Sequence, residues 1–379
     1  MSGLTGRGRA AVAAVVAAAV LALATLLVVA LPFAPPPQPP QLASPVTSAT
    51  SSPSAPGSAG PLSTGSATSP PAAPSATAHA SATQSAAASV APPPPAPVPT
   101  IPPPLDGGPQ PSLPVRAAFY YPWFPEAWKQ QGMNPFTKYN PSLGFYDSSA
   151  SDTIRKHIQA MQYGGIQVGI ASWWGVGTAS DQRIPTILAN TAGTGFRWTL
   201  YYEQESLGDP AVPQIASDLA YIRDHYAADP SFFKIGGRFV VFVYADGADA
   251  CPTATRWRDA NAGINAYIVL KVFSAYTTCP AQPAGWHQYA PAGAKDSQRG
   301  YSYAISPGFD KANEPSPRLT RDLAQWAQNV RKMVASGAPF QLVTTFNEWG
   351  EGTSVESATQ WASSSGYGRY LDILRANGN

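Results

Sequence analysis

Between Arg9 and Asp106 the chain contains not one Asp, Glu, Lys or Arg, and His79 is the only titratable side chain there. Nearly all of the charge lies beyond that stretch, so the foldable part is the last 270 or so of the 379 residues. That length suits a (β/α)8 barrel or one large sandwich. The net charge is only +2, and no basic run breaks the sequence, which argues against a nucleic-acid binder.

The uncharged region divides in two. Arg7 and Arg9 precede an apolar run from Ala10 to Leu31, and 22 such residues would span roughly 33 Å as a helix, enough to cross a bilayer core. The run is long for a cleavable signal. With arginines before it and no positive charge after it, the N-terminus stays inside and the remainder is exported. A cleaved signal is the alternative, with Leu-Ala-Ser at 42–44 a poor cleavage site. From Pro35 to Pro114 the composition is Pro, Ala, Ser and Thr, including APPPPAPVPTIPPP. Such a segment buries too little apolar surface to fold and reads as a disordered, semi-rigid stalk. The expected organisation is therefore a signal-anchor or signal peptide over 1–34, a linker over 35–114 and a folded domain over 115–379. The expected location is the cell membrane with the domain outside, or secreted after cleavage. In an exported chain the even pair Cys251 and Cys279 is expected to form a disulfide.

From Val115 onward, short apolar, β-branched or aromatic runs alternate with amphipathic stretches. Candidate strands are 115–124, 166–175, 197–205, 238–246, 266–274, 284–290, 301–309 and 340–350. Between them, 151–165 carries Ile154, Ile158 and Met161 in helical phase and ends in Gly-Gly. Further helices are expected near 181–192, 212–226, 253–262, 316–337 and 366–376, the one over 316–337 with Leu319, Leu323, Trp326 and Val330 on one face. This alternation implies βα units on a parallel sheet, and eight strands in this length match a TIM barrel. A doubly wound open sheet would want a Gly-rich first turn, which VRAAFYYPWF lacks.

A barrel of this kind places its active site at the C-terminal ends of its strands. Those ends carry Tyr121 and Trp123, Trp173 and Trp174, Tyr202 and Glu203, Tyr244, His287, then Asn347, Glu348, Trp349 and Glu351. Flat rings stack on the apolar faces of sugars, and carboxylates and amides bind hydroxyls, so these residues are candidate substrate contacts. Any one aromatic is more often core than contact; their recurrence at one end of the strands carries the weight. Glu348 and Glu351, three apart, would lie about 5–6 Å from each other on one side of a helical turn. Like charges that close push one pKa up and separate a base from an acid, which is what glycosidic cleavage uses. Glu356 is expected to be structural. His157 and His225 fall on helix faces, leaving His287 alone, so a histidine metal cluster is not expected. There is no P-loop and no G-x-S-x-G elbow.

FNEWGEGTSVE, with FYYPWF, the GFYDSS–helix–GGIQVGIASWWG stretch and YYEQE, resembles the family 99 and 99-like glycoside hydrolases, the endo-α-mannosidase group, over about 116–376. The resemblance implies a (β/α)8 barrel and a retaining enzyme that needs no metal or other cofactor. It also implies a mechanism in which one glutamate deprotonates the sugar's 2-hydroxyl to form a 1,2-anhydro sugar. The second glutamate protonates the leaving group and then activates water. Glu348 would be the base and Glu351 the acid/base, with Glu203 and Tyr121 resembling substrate-binding positions. One position departs from the pattern: the family has His between the Trp and the second Glu, and here Gly350 stands there. The partners expected are a polysaccharide or oligosaccharide, with mannose-containing ones among the candidates, and the membrane, for a monomeric chain. The alternatives are a family 71-like α-1,3-glucanase and a non-catalytic carbohydrate-binding surface module.

Overall fold

A computed structural model of the chain describes residues 108–378. The expected membrane segment and almost all of the stalk lie outside them. No helix among the described residues is long and apolar enough to cross a membrane.

Ten strands form in chain order: β1 (Val115–Tyr120), β2 (Val168–Trp173), β3 (Arg197–Tyr202), β4 (Lys234–Ile235), β5 (Arg238–Val243), β6 (Tyr267–Lys271), β7 (Gly285–His287), β8 (Lys295–Gln298), β9 (Ser302–Ile305) and β10 (Phe340–Val343). The helices are α1 (Ser151–Tyr163), α2 (Ala179–Ala189), α3 (Val212–His225), α4 (Cys251–Asn261), α5 (Leu323–Ala335) and α6 (Arg369–Asn377). The sheet order is β7-β6-β5-β3-β2-β1-β10-β9-β8, with β4 on β5. Leaving out β4 and β8, every pairing is parallel. The eight expected strands are thus present as a parallel barrel that is nearly closed: no hydrogen-bonded ladder joins β7 to β9, and β8 lies antiparallel along the free side of β9.

The strand alternation sets two layers. Phe119, Tyr201, Phe242, His287 and Phe340 point inward and pack ring on ring, with Phe119 4.9 Å from Tyr201 and Phe242 5.3 Å from Phe340. Their neighbours Tyr120, Trp198 and Tyr202 point outward, and Tyr120 and Trp198 pack at 4.9 Å. Gly169 in β2 makes room for that outer layer, because a Cβ there would stand 2.1 Å from the Trp198 ring. Ile154, Ile158 and Met161 of α1 are buried, as their spacing predicts.

Two expectations need correction. The helix expected from 316 begins only at Leu323, where Asp322 caps the amides of Ala324 and Gln325. Leu319 instead bridges to Phe309 in extended backbone. The boundary at Val115 also moves back: Arg197 donates to the Gly108 and Pro109 carbonyls, and Gln110 bonds Pro230, Phe232 and Lys234, so residues before β1 seat on the barrel. Between β7 and β9 the chain adds a strand that the sequence reading did not include, β8, which pairs antiparallel with β9.

Candidate active site

The C-terminal ends of the strands open into a cavity of about 690 Å³. Residues of inward parity line it: Tyr121 and Trp123 after β1, Tyr201 and Glu203 on β3, Tyr244 after β5, Lys271 on β6 and Tyr289 after β7. Glu348 and Glu351 close the wall after β10. Tyr121 and Trp123 stack at 4.5 Å, and the Tyr121 hydroxyl donates to that of Tyr289 at 2.7 Å.

The acid pair sits on a tight turn, where a helical turn is expected from its spacing. The chain folds back after β10, with Thr345 and Thr353 bonded through the Thr345 amide at 3.0 Å and Glu356 bonded to Phe346 at 2.9 Å. The Gly352 amide closes the turn on the Trp349 carbonyl. Within it, the Glu351 amide donates to Glu348 Oε1 at 3.3 Å. The other Glu348 oxygen, Oε2, is buried with no hydrogen-bond partner, as is Glu351 Oε2. Two buried, unengaged carboxyl oxygens beside a cavity are free to meet a ligand.

Electrostatics follow from burial. Desolvation and then the Glu351 charge push Glu348 well above the ordinary carboxylate range, against the Gly350 and Glu351 amides, which favour its anion. Burial lifts Glu351 to about 7, with Lys311 and Arg318 drawing it back. Burial lifts Glu203 to about 8, opposed by a hydrogen bond from Ser172. In the same cavity burial lowers Lys271 to about 8, and Asp249, Asp246 and Glu203 counteract that.

Gly350 has a packing reason. A Cβ there would lie 2.8 Å from two Phe136 ring carbons and 3.0 Å from Glu348 Oε1. Phe136 is buried and fills the space beside the acid turn.

Residues 118–259 match the model of glycosyl hydrolase family 99. Over that stretch the chain is similar to the family 99 glycosyl hydrolases. Among solved structures, the fold is similar to the family 99 endo-α-mannosidase from Bacteroides thetaiotaomicron, at 19% identity and a TM-score of 0.55, over 70% of this chain and 95% of that one. It is also similar to a glycoside hydrolase-like protein at 16% identity and a TM-score of 0.53, over 73% and 98% of the two chains. No curated protein matches. The family match ends before the Glu348–Glu351 turn, whose roles therefore rest on geometry.

The barrel brings Tyr121, Trp123, Glu203, Tyr244, Glu348 and Glu351 together around one cavity, as the strand ends predict. Six other expected substrate contacts do not line it. Trp173 and Tyr202 have outward parity, so their polar atoms bond Asp181 on α2 at 2.8 Å and Asp218 on α3 at 2.7 Å. The Trp174 indole donates to Ser172. His287 is fully buried in the barrel interior, where burial holds it neutral, lowered to about 3. Asn347 is spent on the Tyr121 backbone, and Trp349 donates to Tyr146 and stacks on Trp361 at 6.0 Å. Glu356 is buried and structural, accepting from Tyr146 at 2.7 Å and lying 3.2 Å from His157 Nε2. Lys271, Gln288 and Gln298 line the cavity without having been singled out in the sequence. Parity would have found Lys271, two residues past the inward Val269. Cys251 and Cys279 form the expected disulfide.

Proposed function

We propose that the chain hydrolyses α-linked glycans, mannose-containing ones among them, with retention, through Glu348 and Glu351. The observation that carries this is the pair itself: two carboxyls on one turn, each with a buried unengaged oxygen at the cavity wall. Such a pair holds one proton between its members more readily than it holds two charges, the state that acid/base work requires.

In the first step Glu348 takes the proton of the sugar's 2-hydroxyl as that oxygen attacks C1. The bond from C1 to the leaving oxygen breaks, and Glu351 gives that oxygen its proton. A 1,2-anhydro sugar results. In the second step Glu351 takes a proton from water as the water oxygen attacks C1. The C1–O2 bond opens, and Glu348 returns its proton to O2. Two inversions at C1 restore the starting anomer. Tyr121, Trp123, Tyr201 and Tyr244 supply ring faces for the sugar, and Glu203 a hydroxyl partner.

The test is digestion of an α-glycan panel that includes α-mannan, with NMR of the first-formed anomer. An α-anomer from the wild type, with kcat lower by about 10²–10⁴-fold in Glu348→Gln and Glu351→Gln, is the expected result. Glycan binding with no turnover on the whole panel would identify a binding module instead.

The catalytic domain is further proposed to work outside the cell, tethered by residues 10–31. Arg7 and Arg9 before the apolar run and the Cys251–Cys279 bridge support this. Protease treatment of intact cells should release the domain. Protection from protease until lysis would refute export.

A further inference from the structure

Among the described residues that line the cavity, Lys271 is the one cation, and three glutamates share the wall with it. Its place follows from the strand order. β6 stands across the barrel mouth from β1 and β10, so Lys271 faces the acid turn from the far side. Its ammonium is fixed but not used up. One N–H goes to the Ala245 carbonyl at 2.5 Å, and the group lies 4.9 Å from the centre of the Tyr244 ring. An ammonium carries three donors, which leaves two to serve the cavity.

Acidic groups surround this cation. Glu203 lines the same cavity, and the charges of Asp246 and Asp249 also act on it. None of the three closes to an ion pair with Lys271 within 4 Å. Lys271 and Glu203 thus border one cavity, the first offering donors to it and the second an acceptor. Adjacent hydroxyls of a sugar ring match that arrangement, since each can accept from an ammonium and donate to a carboxyl oxygen. An anionic substituent matches it poorly, because the cation is already offset by neighbouring acids and Glu203, Glu348 and Glu351 border the same space.

We propose that Lys271 and Glu203 form a clamp for the vicinal hydroxyls of an uncharged hexose unit, across the cavity from the acid turn, and that the acids around Lys271 disfavour a glycan that carries its own negative charge. This rests on the glycosidase reading above, and the test keeps the two apart by measuring binding separately from turnover.

Binding is measured by calorimetry in full-length Glu348→Gln and in Glu348→Gln with Lys271→Met. The ligands are α-mannotetraose and the same tetraose oxidised to a terminal uronate. Loss of one charge-assisted hydrogen bond should weaken the neutral ligand roughly 10- to 100-fold. Lys271→Arg, which keeps the donors, should recover part of that. The uronate should bind at least about tenfold more weakly than the neutral tetraose, a margin of one such interaction. In the otherwise unaltered chain, Lys271→Met should raise KM and leave kcat nearly unchanged, a split that a general loss of folding would not produce. Should Lys271→Met fail to fold, protection of Lys271 from amine acylation by bound tetraose reads the same contact in Glu348→Gln. Neutral binding unaffected by Lys271→Met, a KM unchanged while kcat falls, equal or tighter binding of the uronate, or no protection each overturns the clamp. Tetraose binding that needs Lys271 in a protein that cleaves nothing would uphold the clamp and refute the glycosidase reading. No binding of either tetraose overturns the clamp, whatever the panel shows for hydrolysis.

Discussion

The carboxamide of Asn347 closes on the backbone of Tyr121 from both sides, accepting from its amide at 2.7 Å and donating to its carbonyl at 3.1 Å. One side chain thereby ties the rim of β1, which carries Tyr121 and Trp123, to the residue just before Glu348. Asn347→Asp keeps the acceptor, loses the donor and adds a buried charge. A loss of about 2–4 kcal/mol in stability is expected by denaturant titration. Activity should fall further than the unfolded fraction explains, because both rims of the cavity shift.

Phe136 and Gly350 form a matched pair. Gly350→Ala sets a methyl against the Phe136 ring and Glu348 Oε1, and should cost about 1–3 kcal/mol. Combining it with Phe136→Leu should be less damaging than the sum of the two single changes, as measured by a double-mutant cycle. Strict additivity would mean that the ring does not exclude a side chain at 350.

Stability should fall as pH rises from the acid side. Glu203 lies at about 8 in the fold, and Glu205 and Glu351 at about 7, above an ordinary value of 4.5. The folded chain therefore binds more protons than the unfolded chain between those limits. The stabilisation is complete below about pH 4.5 and is lost as pH climbs through 7 to 8. Each unit of displacement is worth about 1.4 kcal/mol. Urea titrations at pH 5 and pH 8 should show the decline, and Glu203→Gln should flatten it. Stability that rises between those pH values would contradict the burial of these carboxyls. If the pair performs the proposed acid/base steps, activity should also fall on the alkaline side as Glu348 and Glu351 lose the one proton they hold between them.

The disulfide encloses a sequence separation of 28 residues, and its removal by Cys251→Ser with Cys279→Ser should cost about 3–4 kcal/mol. The bridge ties the start of α4, just after the loop that carries Gly247, to the loop that carries Phe273 and Tyr276. KM should therefore rise more than kcat falls. An unchanged KM would show that these loops hold the cavity wall without the bridge.

All eight barrel strands were legible in the sequence, because each is a short apolar or aromatic run ending in polar residues. What could not be read was mostly a matter of facing. Trp173 and Glu203 both sit at strand ends, yet only one has the parity that points inward. A residue spacing also cannot tell a helical turn from the fold-back that carries Glu348 and Glu351. The grip of Asn347 on Tyr121 joins residues 226 apart, so no local pattern announces it. Leu319 fits a helical phase, but Asp322 caps later, and that side-chain hydrogen bond fixes the start of α5.

The unpaired seam between β7 and β9 separates two kinds of loop. Elsewhere a βα loop is held at both ends by parallel ladders, so a change in its length strains the register of the strands beside it. Residues 288–301 hang from a strand with a free side and a two-strand hairpin, and Gln288, Ala290, Gly293 and Gln298 from this segment border the cavity. Lengthening here costs mainly loop-closure entropy, which grows slowly with length. Evolution or an engineer can therefore reshape the cavity at the seam while the barrel that carries the acids keeps its register.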